Sequence, residues 1–273
     1  MKLGIIGNGF VGKATKMLEC KEITIISYDL NPHLCDPQGT TIEDVALCDI
    51  IFISVPTPMN KDGSCHLNIV EGVVEKLRTI GCNKPLVLRS TVPPGTSERL
   101  GCSFMPEFLT EANAVFDFIN NKEWIFGVDD DSVKPLLQNM ITTAFSYNRI
   151  TYNKITFLTT KESEMVKMFR NNFLTVKVSL CNELYNWCRA KDIDYDRVRT
   201  VAFSDSRIGL SHTKVPGPDG KHGFGGTCFP KDINSAISDM ISVSTYPVIL
   251  KAANTRNNKL DRSSRDWEKK VDL

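Results

Sequence analysis

Short apolar runs alternate with amphipathic stretches along the first half of the chain. Lys2 to Ile6 is an apolar run that stops at Gly7, a helical pattern follows from Phe10 to about Glu19, and Ile23 to Tyr28 is a second run ending at Asp29. Asp49 to Val55 reads as a buried strand closed by Pro56-Thr57-Pro58. A helix is expected from about Leu67 to Ile80, then a strand from Pro85 to Val92 closed by Pro93-Pro94-Gly95. Cys102 to Met105 and Glu123 to Val128 add strands. Asp131 to Phe145 adds a helix with Ser132 as its cap and Pro135 in its opening turn. Alternation of this kind predicts a parallel sheet with helices on both faces.

Near Thr160 the texture changes. From Lys161 to Ala190 no proline or glycine appears, which permits one helix roughly 45 Å long at about 1.5 Å per residue. At about 100° per residue, Phe169, Phe173, Val176, Leu180, Leu184 and Trp187 share an arc of about 80°, while Lys167, Asn171, Val178 and Asn182 lie nearly opposite. The apolar stripe is expected to pack against another domain or a second subunit. The line of Lys167, Asn171 and Asn182 is either an ordinary solvated surface or a functional face. A shorter helix from about Tyr195 to Phe203 precedes a loop rich in Gly, Pro, His and Asp, from Asp205 to Gly226. Pro230 to Met240 and Pro247 to Asn258 are further helices, and the charged tail Lys259 to Leu273 has Trp267 as its one large anchor. Two domains are therefore expected, 1–158 with the sheet and 159–273 all-helical.

Composition narrows the functional classes. With 33 Lys plus Arg against 32 Asp plus Glu, the net charge of +1 gives no field for nucleic acid, and no basic run supplies one. Apolar stretches such as Ile50 to Val55 are far too short to span a membrane. The chain has nine cysteines, an odd number without a CxxC pair, and no secretory leader precedes the first strand, so a reducing, cytoplasmic setting and no metal site are expected.

Gly7, Gly9 and Gly12 occupy the 1, 3 and 6 positions of GxGxxG directly after the first strand. The first glycine permits a tight turn, the second lets backbone approach a pyrophosphate, and the third lets helix pack on strand, with Phe10 and Val11 opening the helix that faces the phosphates. Asp29 closes the next strand, where a carboxylate accepts bonds from ribose hydroxyls and repels a 2′-phosphate. This predicts a Rossmann-type NAD site, NAD rather than NADP; the plainer alternative is a glycine turn with Asp29 serving only as a cap. Pro56, Thr57, Ser90 and Thr91 close later strands at the edge where ligands lie in such sheets.

The segment GFGGTCFPKD, Gly223 to Asp232, places Cys228 between a glycine-rich turn and a Pro-Lys-Asp tail. A thiol is nucleophilic as the thiolate, and Lys231 and Asp232 offer local control of its protonation. The alternative is a buried, inert thiol; the other cysteines read as core filler. A dehydrogenase with a nucleophilic cysteine can trap its aldehyde product as a thiohemiacetal, oxidise it again to a thioester and release an acid. Lys167 and Asn171 can serve a developing oxyanion from one helix face, and Glu107, Glu111, Thr91 and Asp232 are candidates to activate water. Glu107 and Glu111, four apart, share a face only if their segment is helical.

GNGFVG at 7–12, STVPPGT at 90–96, PEFLTE at 106–111, KMFRNNFLTVKVSLCNE at 167–183 and VPGPDGKHGFGGTCFPKD at 215–232 together resemble the UDP-glucose/GDP-mannose dehydrogenase family. These enzymes convert the C6 alcohol of a nucleotide sugar into a carboxylate with two equivalents of NAD. The resemblance implies Cys228 as covalent nucleophile, Lys167 as the group holding the oxyanion and Asn171 as a ligand of the sugar oxygen. It implies Thr91, Glu107 and Asp232 in water and proton transfer, with Glu111 close by, and Lys231 beside the cofactor. Gly223, Phe224, Gly225 and Gly226 would wrap the sugar and its phosphate, and Phe108 and Leu109 would follow the diphosphate. It also implies a homodimer through the helix at 161–190. Family members usually carry a third, C-terminal domain that helps bind the nucleotide; this sequence resembles the first two parts, and RDWEKK at 265–270 resembles the helix leading out of the second. Three activities fit these residues: oxidation of UDP-glucose to UDP-glucuronate, oxidation of another UDP- or GDP-sugar, or catalytically silent NAD binding as a partner protein.

Overall fold

A computed structural model describes residues 1–268. The strands are β1 (Lys2–Ile6), β2 (Thr24–Tyr28), β3 (Ile50–Ile53), β4 (Leu86–Leu88), β5 (Ser103–Phe104), β6 (Trp124–Gly127) and β7 (Ile155–Leu158). The first six helices are α1 (Phe10–Thr15), α2 (Ile42–Ala46), α3 (Asn68–Thr79), α4 (Thr96–Leu100), α5 (Ala114–Ile119) and α6 (Lys134–Ser146). Then come α7 (Thr160–Ala190), α8 (Tyr195–Ala202), α9 (Phe229–Ser242) and α10 (Val248–Arg256).

The strands form one sheet in the order β2-β1-β3-β4-β5-β6-β7, parallel throughout except for β5 against β6. Strict alternation along the strands builds two cores. Leu3, Ile5, Ile50, Phe52 and Val87 face α1, α5 and α6, whereas Ile6, Ile51, Ile53, Leu86 and Leu88 face α2, α3 and α4. A strand buried on both sides must be apolar at every position, so β3 and β4 carry no polar residue, and the one in β1, Lys2, is exposed. The order reverses between β1 and β3, and in sheets of this kind such a switch point opens a crevice at the strands' C-terminal ends.

The chain divides into two compact units. One comprises Met1–Pro58 with His66–Lys167, the other Met59–Cys65 with Met168–Leu273. In the second unit, Cys181, Tyr195 and Val215 form one small apolar cluster, and Phe224, Ile233 and Ala253 another.

Several local expectations are corrected. The helix after the glycine turn is α-helical only to Thr15, then tightens into a 3₁₀ turn at Lys16–Leu18. Ser132 is not the cap of the α6 region: the Asp130 carboxylate accepts the Ser132 N–H at 2.9 Å and opens a 3₁₀ turn there. β7 and the short helices α2, α4 and α5 complete the sheet and its faces without having been anticipated. Residues 262–267 are turns and coil; Trp267 is buried, whereas Lys269 and Lys270 of RDWEKK and the tail beyond them lie outside the described residues.

Helix α7 is amphipathic in an inverted sense. Ser163, Glu164, Lys167, Asn171, Asn172, Thr175, Ser179 and Asn182 are buried, while Phe169, Phe173, Leu180 and Trp187 are 69%, 70%, 52% and 65% exposed. Ser163, Asn172 and Thr175 bond back to their own helix, while others of these buried polar groups bond to other elements. Glu164 is the clearest case: its carboxylate accepts the Gly95 N–H at 2.6 Å and the Ser97 N–H at 2.8 Å, capping α4. Burial outweighs these bonds and leaves the Glu164 pKa above the ordinary carboxylate value.

Candidate functional site

Gly7 sits at φ +88°, a left-handed conformation, and a Cβ there would lie 2.6 Å from Ser54 O; at Gly12 a Cβ would run into Gly7 O. Gly9, by contrast, is exposed and has open space where a Cβ would stand. Two glycines therefore serve the turn and the packing of α1 on the sheet, and the middle one leaves backbone open to a ligand. Asp29, just past β2, is tied to this turn: Oδ2 accepts the Asn8 N–H at 2.8 Å and Oδ1 the Asn31 N–H at 2.9 Å. Each carboxylate oxygen keeps a further lone pair for an incoming hydroxyl. Asn8 is a residue the sequence did not flag; its Nδ2 donates to Leu34 O at 2.7 Å, and its Oδ1 is buried with no partner among the described residues. An open glycine, a strand-end carboxylate and an orphaned amide oxygen fit a dinucleotide.

The ends of β3 and β4 are laced together. Thr57 Oγ1 donates to Thr91 O at 2.8 Å and Ser90 Oγ donates to Val55 O at 2.6 Å, which fixes the two loops at the strand edge. Pro56 is exposed there.

Glu107 and Lys167 meet in the first unit. Lys167 Nζ donates to Glu107 O at 2.6 Å and to Glu107 Oε1 at 2.5 Å, both side chains are almost fully buried, and Glu107 Oε2 accepts the Leu109 N–H at 2.9 Å. The ammonium stands 5.8 Å from the centre of the Phe108 ring. Glu111 does not join them: Glu107 to Thr110 is irregular, and Glu111 begins a 3₁₀ turn with its side chain exposed. Arg89, also not flagged, is buried nearby; it donates to Thr15 Oγ1, lies over the Phe118 ring and helps line, with Glu107, Phe108 and Asp117, a cavity of about 40 Å³. Burial pushes its pKa down to about 10, against the pull of Glu107.

In the second unit, Cys228 is the residue from which α9 departs. A helix N-terminus favours a thiolate, and this helix of 14 residues has Pro230 in its first turn, where no N–H is needed. Cys228 Sγ is half-buried, 3.7 Å from Thr227 Oγ1. One turn in, the Asp232 carboxylate accepts from Asn171 Nδ2 at 2.6 Å and from Lys231 Nζ at 2.7 Å. Burial works against the Lys231 ammonium, but the charge and hydrogen bond of Asp232, with the Cys65 and Cys228 thiols, more than offset it and hold its pKa above the usual lysine value. The loop before Cys228 is pinned by residues far away in sequence. Asn182 Oδ1 accepts the Gly223 N–H at 3.1 Å and lies 3.2 Å from His222 Nδ1. Asn257 bonds both polar groups of Phe224, accepting from its N–H and donating to its C=O.

Residues 36–145 match the UDP-glucose/GDP-mannose dehydrogenase family, NAD binding domain, and residues 161–259 match the central domain of the same family. The first unit is accordingly an NAD-binding domain. A UDP-glucose 6-dehydrogenase of Pseudomonas aeruginosa is 31% identical over 233 residues, covering 79% of this chain and 49% of that protein. A UDP-glucose dehydrogenase structure from Pyrobaculum islandicum superposes with a TM-score of 0.81 at 26% identity, covering 94% of this chain and 68% of that one. A UDP-D-ManNAc dehydrogenase structure from Pyrococcus horikoshii shares the fold at a TM-score of 0.77 and 18% identity, over 95% of this chain and 68% of that one. The chain spans about half the length of the curated relatives it matches, 49% and 50% for the Pseudomonas protein and a putative UDP-glucose 6-dehydrogenase of Bacillus subtilis.

Proposed function

Because the chain belongs to the UDP-glucose/GDP-mannose dehydrogenase family, we propose that it oxidises the C6 alcohol of a nucleotide sugar to the carboxylate, with UDP-glucose as substrate and UDP-glucuronate as product. The observation that carries this reading is Cys228 at the start of α9 with the Asn171–Asp232–Lys231 cluster one turn further in. A thiol that only filled space would need neither a helix N-terminus nor a buried carboxylate held by an amide and an ammonium.

The glycine turn and Asp29 would hold NAD, which would supply the hydride acceptor for both oxidations. The Lys167 ammonium stabilises the alkoxide formed as the alcohol proton leaves, and Asn171 binds the sugar oxygen. Cys228 Sγ then adds to the aldehyde carbon; a C–S bond forms, and the carbonyl oxygen takes a proton to give a thiohemiacetal. Loss of a second hydride and that proton leaves a thioester on Cys228. Water adds to its carbonyl with Asp232, Glu107 and Thr91 managing the protons, the C–S bond breaks, and the thiolate departs. In sum, alcohol, two NAD⁺ and one water give carboxylate, two NADH and three protons. We assign Gly223 to Gly226 to the sugar and its phosphate, Phe108, Leu109 and Glu111 to the diphosphate, and Lys231 to the cofactor.

Stoichiometry tests this reading. Limiting UDP-glucose is expected to release two NADH per sugar, and UDP-galactose, UDP-N-acetylglucosamine and GDP-mannose less efficiently; one NADH per sugar would mean a simple alcohol dehydrogenase, and none with tight NAD binding a silent protein.

A cytoplasmic homodimer completes the proposal. Phe169, Phe173, Leu180 and Trp187 present large apolar surface on one face of α7, and Val198 and Val201 of α8 are exposed as well. One self-complementary face is what a two-fold dimer needs. Sedimentation is expected to give a dimer that Phe173→Asp shifts to monomer; a monomeric wild type would remove this element.

A further inference from the structure

We infer that Asn257 is a positioning residue for the glycine-rich loop, gripping Phe224 through both of its backbone polar groups; this deepens the proposed activity and rests on the reading that the loop holds the sugar. Asn257 is fully buried and opens a π-helical turn, Asn257–Asp261, that continues α10. Its Oδ1 accepts the Phe224 N–H at 2.8 Å and its Nδ2 donates to Phe224 O at 3.0 Å. A side-chain amide carries one acceptor and one donor group with the spacing this pairing needs. An added turn residue of π type is a recurrent feature of functional sites.

The neighbouring loop residues are fixed too, but from other elements. Gly223 N–H reaches Asn182 of α7, and Gly225 leaves no room for a Cβ because the Arg262 guanidinium lies against it. Phe224 itself is buried beside Ile233 of α9 and Ala253 of α10. The Asn257 clamp is thus the contact that sets the backbone at the loop's central residue, four residues before Cys228. If it is lost, the Phe224 N–H and C=O are left buried and unpaired, and the loop shifts to find partners. Among the described residues the Asn257 side chain makes no other hydrogen bond, so an apolar side chain would serve simple packing.

Among the described residues, the charged and titratable groups around this turn are Arg256 and Asp261, which pair with each other, and Arg262, which pairs with Asp219 and Asp266; His222 and Glu183 act on Asp261 from the loop and from α7. They are common to wild type and variants, so ratios between the two isolate position 257.

The test compares Asn257→Asp with Asn257→Leu. A neutral carboxylic acid retains one donor and one acceptor, whereas its carboxylate repels Phe224 O, so the aspartate variant should be repaired by acid. At about pH 8 its KM for UDP-glucose is expected to rise roughly tenfold or more relative to wild type, with KM for NAD within about twofold. At about pH 5.5 the KM ratio for UDP-glucose should fall to within about threefold, because burial keeps the new acid protonated. Asn257→Leu should be impaired at both pH values; if it does not fold, the aspartate variant alone decides. The rate of Cys228 alkylation by iodoacetamide, again as a ratio to wild type, should show the same reversal and needs no turnover. A wild type inactive on every nucleotide sugar would overturn the proposed activity and leave the labelling test of the clamp intact. A ratio independent of pH in both KM and labelling, or variants that match wild type in both, would overturn the positioning role.

Discussion

Replacing Cys228 with serine should reduce carboxylate formation at least about a thousandfold while leaving NAD affinity within about twofold of wild type. A serine hydroxyl is far less ionised than a thiol at neutral pH, and the positive end of α9 cannot make up that difference. The first oxidation does not require the sulfur, so a single equivalent of NADH per enzyme is the most this variant should release quickly. Normal release of two NADH per sugar by Cys228→Ser would contradict covalent trapping. The glycine turn and Asp29, the proposed cofactor contacts, are untouched by the substitution, so binding of NAD separates lost chemistry from lost structure.

The second large effect is expected at Lys167. Lys167→Met keeps the length and most of the apolar contact of the side chain but removes the charge from a pair in which both partners are nearly fully buried. Leaving the Glu107 carboxylate without that partner should cost about 3–5 kcal/mol of stability, read as a lower midpoint of urea unfolding. Loss of the cation at the developing oxyanion should lower kcat a further 10²–10³-fold or so in the protein that remains folded. The two readouts separate the roles. A variant that loses stability but keeps kcat would make Lys167 a structural counter-ion for Glu107, and its proposed catalytic role would be withdrawn.

The inside-out character of α7 shows how far sequence reaches into this fold. The spacing of Phe169, Phe173, Leu180 and Trp187 marks an apolar stripe whichever way the helix faces, but only tertiary contacts reveal that the polar line of Lys167, Asn171 and Asn182 is the buried side. Strands buried on both faces, such as Ile50–Ile53, announce themselves as unbroken apolar runs. β7 does not, because Ile155–Leu158 is an edge strand whose four residues are all only partly buried. The five-residue α2 is marked by little more than the Thr41–Asp44 capping box, too local a signal to stand out against loop composition. Within the candidate site, residues inside compact motifs were legible, among them Cys228, Asp232, Glu107 and the three glycines of the turn. Asn8, Arg89 and Asn257 were not, since each acts through a partner remote in sequence; Asn257 and Phe224 are 33 positions apart.

The central claim is that the sugar's C6 carbon becomes an acyl group on one sulfur. Acid quenching of the protein during turnover of UDP-glucose, followed by mass measurement of the peptide containing Cys228, tests it most directly. The account predicts a peptide heavier by the substrate acyl group, labile to hydroxylamine and absent from Cys228→Ser. An unmodified Cys228 peptide at every quench time, in protein steadily releasing two NADH per sugar, would contradict it.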